Sequence, residues 1–221
     1  MKKVFLFVLY IALIGCDDDI SSVDLTVYNP DLGILDNLNN GVSNSDLVSN
    51  VSLEALFGLE YGGGFIFHYD QTDGSLLVAT DYSQVGDKRW GDIFDLDTSS
   101  EINSGMENTE LIVQGNLNDN SPANGGLEEF GSDDYIFKIV SDLQYNGFND
   151  WFVPSSGSME AIYSNVHSLG NGNFNETLTY WSSTKEGYFP HVMSFDIDFG
   201  GQSFNGLCTE VNGILIARKV E

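Results

Sequence analysis

Three aspartates, Asp92, Asp95 and Asp97, lie close together in a stretch rich in Gly, Asn, Asp and Ser. Hard cations such as calcium take several oxygen ligands, so this spacing makes the three residues candidate metal ligands. Asn116, Asn118, Asp119 and Asn120 form a second oxygen-rich run. Counted from Asn116, the sixth position is Ser121 and the twelfth Leu127, where an EF-hand needs Gly and Glu. Calcium is therefore the one cofactor candidate, and solvated polar loops are the competing reading. Groups for catalysis are poorly arranged. His68, His167 and His191 lack the His-Glu-x-x-His spacing of a zinc protease. Ser155 and Ser182 lack a Gly-x-Ser-x-Gly elbow. A glycosidase needs only two opposed carboxylates, but with 33 acids no pair stands out. The expectation is a protein that is not an enzyme.

Those 33 acids face 8 lysines and arginines, a formal net charge of −25. Such a surface repels nucleic acid, whose binding rests on neutralising phosphates with Lys and Arg. Sulfated glycans are disfavoured for the same reason. Neutral glycans, basic partners and divalent cations are compatible. Apolar residues make up 42% of the chain, with 15 Phe, 10 Tyr and 3 Trp, enough for a real core.

Lys2 and Lys3 precede an apolar run from Val4 to Ile14, and Gly15-Cys16 follows. The run is too short for a hydrocarbon layer of about 30 Å, and it reads as a secretory signal. Leu13-Ile14-Gly15-Cys16 resembles the bacterial lipobox. That resemblance implies cleavage before Cys16, a diacylglycerol on its sulfur, and a membrane anchor through the N-terminal lipid. Two or more acyl chains hold a protein stably on a bilayer. Removing Lys2 and Lys3 leaves 6 bases against 33 acids, a net −27. Asp17, Asp18 and Asp19 resemble the acidic export signal of surface-exposed lipoproteins, whereas an Asp directly after the cysteine also resembles an inner-membrane retention signal of enteric bacteria; an outer-membrane lipoprotein at the cell surface is the favoured expectation. With Cys16 lipidated, Cys208 is left without a disulfide partner and reads as a small buried residue.

The chain divides into a signal peptide (1–15), an acidic polar tether (16–40) and one domain (41–221). A short helix is expected near Asp46 and another after Ser52. Strands from Phe65 to Tyr69 and from Leu76 to Thr80 flank a turn at Asp73-Gly74. Residues 86–131 read as long loops, which in a compact domain are usually functional. Ser132 caps an expected helix whose stripe is Tyr135, Ile136, Ile139, Val140 and Leu143, ended by Gly147. Pro154 starts another, with Met159, Ile162, Tyr163 and Val166 on one face. From His191 to Gly200, Met193, Phe195, Ile197 and Phe199 alternate with polar residues as in a half-buried strand. Asn212-Gly213 between two apolar runs signals a two-residue hairpin. Helices among strands without βαβ alternation give an α+β class.

Several ordered motifs carry a resemblance over about 56–220. Gly147-Phe148-Asn149-Asp150-Trp151-Phe152-Val153-Pro154-Ser155 resembles the signature Gly-aromatic-x-Asp-Trp-x-Leu-Pro-Ser/Thr of Lcl-type C-terminal domains. Tyr180-Trp181-Ser182-Ser183-Thr184 resembles that family's second signature. Gly63-Gly64-Phe65 resembles its entry strand, Ile102 to Thr109 (with Asn108 and Thr109) its Ile-Gly-x-Gly-x-x-Asn-Thr element, and Arg218 its closing basic residue. The resemblance implies a C-type lectin-like fold, two main helices packed on short antiparallel sheets with long Gly/Asn/Asp-rich loops. It also brings in the formylglycine-generating enzymes, which share that fold. Their chemistry needs more cysteine than Cys208 supplies. Two departures stand out: Ser158 replaces the family's Glu, losing a reciprocal capping box, and Gly157 weakens the helix start by about 0.5–1 kcal/mol against Ala. The residues themselves read first as fold determinants. The functional expectation is a surface-anchored, adhesin-like module that binds glycan or protein through the 86–131 loops, with Trp90 as a stacking group beside Asp92, Asp95 and Asp97. The alternative is a structural or accessory envelope lipoprotein that assembles with another protein and binds no sugar.

Overall fold

The computed structural model describes residues 25–92, 96–118, 132–198 and 201–221. The lipobox, Cys16 and Asp17–Asp19 lie outside the described residues. Among those described, no helix is long and apolar enough to cross a membrane.

The fold is α+β with antiparallel sheets. Three short helices, α1 (Ile34–Asn39), α2 (Asn44–Val48) and α3 (Leu53–Leu56), precede β1 (Glu60–Tyr61), β2 (Gly64–Asp70), β3 (Ser75–Asp81) and β4 (Lys88–Arg89). Then come α4 (Gly105–Asn118), α5 (Ile136–Ser141) and α6 (Ser156–Asn165). The chain ends in β5 (Thr179–Glu186), β6 (Phe189–Ser194), β7 (Ser203–Asn205), β8 (Val211–Asn212) and β9 (Leu215–Val220). Strand order is β1-β2-β3-β9 in one sheet, β5-β6-β7 in a second, and β4-β8 in a two-stranded pair.

The first sheet is covered on both faces, which explains the unbroken apolar run of β3. Leu76 and Val78 pack with Ile66 against Leu38, Leu47 and Leu56 of the three N-terminal helices. Leu77 and Ala79 point the other way, to Met159, Ile162 and Val166 of α6 and its continuation. Alternation of side chains along a strand makes this division automatic. A third cluster joins Trp90, Ile136, Phe137, Val140, Trp151 and Trp181. Each fully buried large side chain contributes roughly 1.5–3 kcal/mol.

The structure differs from the sequence reading at several points. The tether boundary at 40 falls inside a packed unit: Leu38 is buried, and the Asn37 amide donates to the carbonyls of Asn29 and Gly33. Residues 86–131 include α4, 14 residues long, where loop was expected, and α4 rather than α5, at 6 residues, joins α6 as a longer helix among the described residues. The α5 N-cap is Tyr135, with Ser132 outside the helix, and α5 stops at Ser141, well before Gly147. β6 ends at Ser194; beyond Phe195 the alternation no longer describes a strand, and Ile197 is exposed. Asn212-Gly213 makes no hairpin. Instead Lys88 pairs with Asn212, the Gly213 N–H donates to the Thr179 carbonyl at 2.8 Å, and β9 pairs with β3. Tertiary pairing there outweighs the dipeptide's turn preference.

A tight turn of that type lies instead at Asn146-Gly147. Asn146 (φ 51°) and Gly147 (φ 83°) are both left-handed. The flanking Tyr145 and Phe148 exchange backbone hydrogen bonds of 2.9 and 3.0 Å. Two successive positive φ values define the turn that matches strand twist. Gly62 (φ 59°) and Gly63 (φ 90°) make the same kind of turn between β1 and β2.

Candidate functional site

The expected loop residues do not gather into one site. Trp90 is fully buried, its ring edge-on to Phe137 at 4.9 Å and its Nε1–H donating to the Ser182 carbonyl at 2.9 Å. A ring without an exposed face cannot stack on a ligand, so Trp90 is corrected to a core residue. Asp92 is buried, and its backbone N–H donates to the Asn116 side chain at 3.0 Å. Asp97 is exposed and accepts the Gly187 N–H at 2.8 Å. Asp95 lies outside the described residues, as do Asp119 and Asn120. Among the described residues no three His, Cys, Asp or Glu side chains are placed to share a metal ion.

The signature residues form a hydrogen-bonded frame. The segment 98–104 runs beside β5: the Thr98 N–H donates to the Lys185 carbonyl at 3.0 Å, and the Thr98 hydroxyl to the Ser183 carbonyl at 2.6 Å. The Asn108 amide donates to the Ser99 carbonyl at 2.7 Å and the Ser183 hydroxyl at 3.2 Å, while its oxygen accepts the Ser99 N–H at 3.1 Å. The Thr184 hydroxyl donates to Ser99 as well and accepts the Ser156 N–H. The Thr109 hydroxyl accepts the Val153 N–H at 3.0 Å. Ser155 caps α6 by accepting the Ser158 N–H and donates to the Glu101 carbonyl at 2.6 Å. The Ser158 hydroxyl donates to the Ile102 carbonyl. Buried polar groups must be paired, and here a spliced set of Ser, Thr and Asn side chains pairs them. Trp181 and Tyr180 are buried beneath this frame. These residues hold the fold; they offer a ligand little surface.

One signature residue is different. Asp150 is bound by Arg218 of β9 in a two-pronged contact, Nε to Oδ1 at 2.7 Å and Nη2 to Oδ2 at 2.8 Å. Arg218 also donates Nη1 to the Gly62 carbonyl at 2.9 Å, and its guanidinium lies 3.7 Å from the centre of the Phe148 ring. The Asn146 amide reaches the Gly63 carbonyl at 3.1 Å, so the two tight turns are clasped together. Arg218 is only 10% exposed, whereas the Asp150 side chain remains 41% exposed. Hydrogen bonds from Arg218 hold the Asp150 carboxyl below the usual carboxylate range, against a smaller opposing effect of burial. The carboxylate is thus fixed, ionised, charge-balanced and still accessible.

Asp150 stands at the rim of a groove of about 520 Å³ between α4 and the 149–152 segment. Met106, Glu110 and Gln114 line its α4 side, and Asn149, Asp150 and the edge of Trp151 its other side. The Trp151 Nε1–H is committed to the Tyr145 carbonyl at 3.1 Å, which locks the ring. An apolar floor with a few convergent polar groups is the usual make-up of a ligand site, and the volume falls in the usual range. Glu110 and Gln114 lie in a stretch that reads as loop from sequence, where their spacing of four on one helix face is the available signal. A second depression, of about 570 Å³, lies beyond Phe148 and Arg218 against Glu60 and Tyr61. Its basic group, Arg218, already serves Asp150 and Gly62.

Two buried groups lie near the 96–98 segment. Lys185 is fully buried, and its Nζ donates to the carbonyls of Leu96 (3.0 Å) and Gly187. It thereby pins the β5–β6 tip to that segment. Cys208 is buried, and burial pushes its thiol up to about 11, which leaves it protonated at neutral pH.

No protein-family model matches this chain, and no curated protein does.

Proposed function

We propose that this protein is a non-enzymatic lipoprotein anchored through an acylated Cys16 at the outer-membrane surface. Its body, an Lcl-type domain of C-type lectin-like architecture, binds a glycan or protein ligand in an adhesin-like role. The groove between α4 and the 149–152 segment is the observation that carries the reading. It offers one ionised, locked carboxylate, a second carboxylate at Glu110 and two amides over an apolar floor. Carboxylates and amides suit the hydroxyls of a neutral glycan or the donors of a peptide. The charge of −25 turns the preference away from sulfated glycans and nucleic acid.

The test uses the full-length lipoprotein. Protease shaving of intact cells should remove the domain, and a neutral-glycan array together with immobilised matrix proteins should yield saturable binding. Protection from protease on intact cells, or clean negatives on both ligand sets, refutes the reading.

A further inference from the structure

The surface around β6 and β7 differs in charge from the rest of the chain. Residues 187–195 and 201–209 contain no Asp, Glu, Lys or Arg, in a protein with 33 acids. Within this strip Tyr188, Phe189, Phe204 and Leu207 are 43% to 63% exposed. β7 is the end strand of its sheet, and all three of its residues are exposed. The opposite edge, along β5, is covered: the Trp181 N–H donates to the Gly213 carbonyl, and Thr98 pairs with Lys185.

The register fixes what the open edge presents. His191, Val192 and Met193 lie opposite Asn205, Phe204 and Ser203. The Gly206 N–H donates to the Pro190 carbonyl at 2.8 Å, and the Ser194 N–H to the Gln202 carbonyl at 2.9 Å. Hydrogen-bonded pairs alternate along an antiparallel ladder, so Val192–Phe204 is the hydrogen-bonded pair between those two. Phe204 therefore turns its backbone inward, and Ser203 and Asn205 turn their N–H and C=O groups outward. Continuing the register sets Leu207 opposite Phe189. Among the described residues β7 is short and carries none of the usual protections of an edge, a lysine, a proline or a bulge.

We infer that β7 is a docking edge for an extended, uncharged segment of another protein, which adds a strand to the sheet through Ser203 and Asn205 and lays alternate side chains beside Phe204 on one face and beside Phe189 and Leu207 on the other. The backbone groups specify a strand, and the charge-free strip specifies its chemistry. A second copy of this chain would bring another net −25 and is disfavoured as the occupant. This surface is separate from the groove and does not depend on it.

The test titrates the full-length lipoprotein into a fluorescent, uncharged peptide of alternating Val and Thr, followed by anisotropy. A control peptide carries N-methyl groups on alternate amides. Binding of the first peptide, weakened about fivefold or more by N-methylation, is expected for loss of backbone hydrogen bonds. Asn205→Pro deletes one outward N–H and leaves the Val192–Phe204 pair intact; it should weaken binding by a similar factor with an unchanged melting temperature. Ser203→Pro repeats the test should Asn205→Pro fail to fold. No binding at millimolar peptide, equal binding of the N-methylated peptide, or concentration-dependent dimerisation of the protein itself would overturn the inference.

Discussion

Replacing Gly157 with alanine sets two effects of opposite sign against each other. Within a helix, alanine in place of glycine stabilises by about 0.5–1 kcal/mol. In this fold, however, a Cβ at position 157 would sit 2.5 Å from the Ser100 carbonyl oxygen, which the Gly157 N–H now meets at 3.0 Å. The Ser100 carbonyl cannot retreat freely. Its neighbours Ser99, Glu101 and Ile102 are held by Asn108, Ser155 and Ser158. Overpacking against fixed backbone costs about 1–3 kcal/mol, and a strained or lost hydrogen bond about 0.5–1.5 kcal/mol more. Subtracting the helix gain leaves a destabilisation of about 0.5–4 kcal/mol, centred near 2. At about 3 °C per kcal/mol for a chain of this size, the melting temperature falls by about 2–12 °C. Urea denaturation gives the free energy directly, read as a lower midpoint with an unchanged slope. A Gly157→Ala variant as stable as the parent, or more so, would refute the claim that close approach of the 99–102 segment requires this glycine.

Asp150→Asn should cost about 1–2 kcal/mol at neutral pH, a moderate figure because the carboxylate is partly solvated. The folded carboxyl titrates lower than an ordinary one, so its contribution is present above about pH 5 and lost as pH falls through the depressed value. The stability gap between parent and variant should therefore narrow as pH falls through the lowered carboxyl range, and a gap independent of pH would contradict this. Trp90→Phe should destabilise by about 1–3 kcal/mol, because the Ser182 carbonyl loses its partner, while ligand affinity stays the same; lost affinity at unchanged stability would restore Trp90 as a contact residue. Native Cys208 should resist iodoacetamide at pH 8 and react only on unfolding, followed by mass spectrometry. Labelling at the rate of a free thiol would contradict its buried, protonated state.

Local signals in the sequence were legible where local and tertiary demands agree. Pro154 followed by an apolar stripe marks the start of α6, and the structure begins the helix at Ser156 behind a Ser155 cap. The β3 run is apolar throughout because both faces are covered, and its strand character was plain. Two Asn-Gly pairs of equal local quality met different fates. Asn146-Gly147 turns, whereas Asn212-Gly213 is held extended by pairing to Lys88 and Thr179. Nothing within a few residues of either distinguishes them. α4 was hidden because Gly, Asn and Thr weaken its helix signal, although Asn108 and Thr109 are there to bond distant backbone. Trp90 illustrates the same limit: a tryptophan in a polar stretch reads as exposed, and only the approach of Ser182 shows why it is buried. The groove was half visible, through Asp150 and Trp151, and needed α4 to complete it.

The most direct measurement compares the parent lipoprotein with a Glu110→Ala, Gln114→Ala double variant for binding to the best ligand from the glycan and matrix panels. Both side chains are exposed and line the groove, so the melting temperature should not move. The account predicts a loss of affinity of about tenfold or more, from two polar contacts of roughly 0.5–1.5 kcal/mol each. Unchanged affinity in a folded double variant would contradict the assignment of the groove as the ligand site.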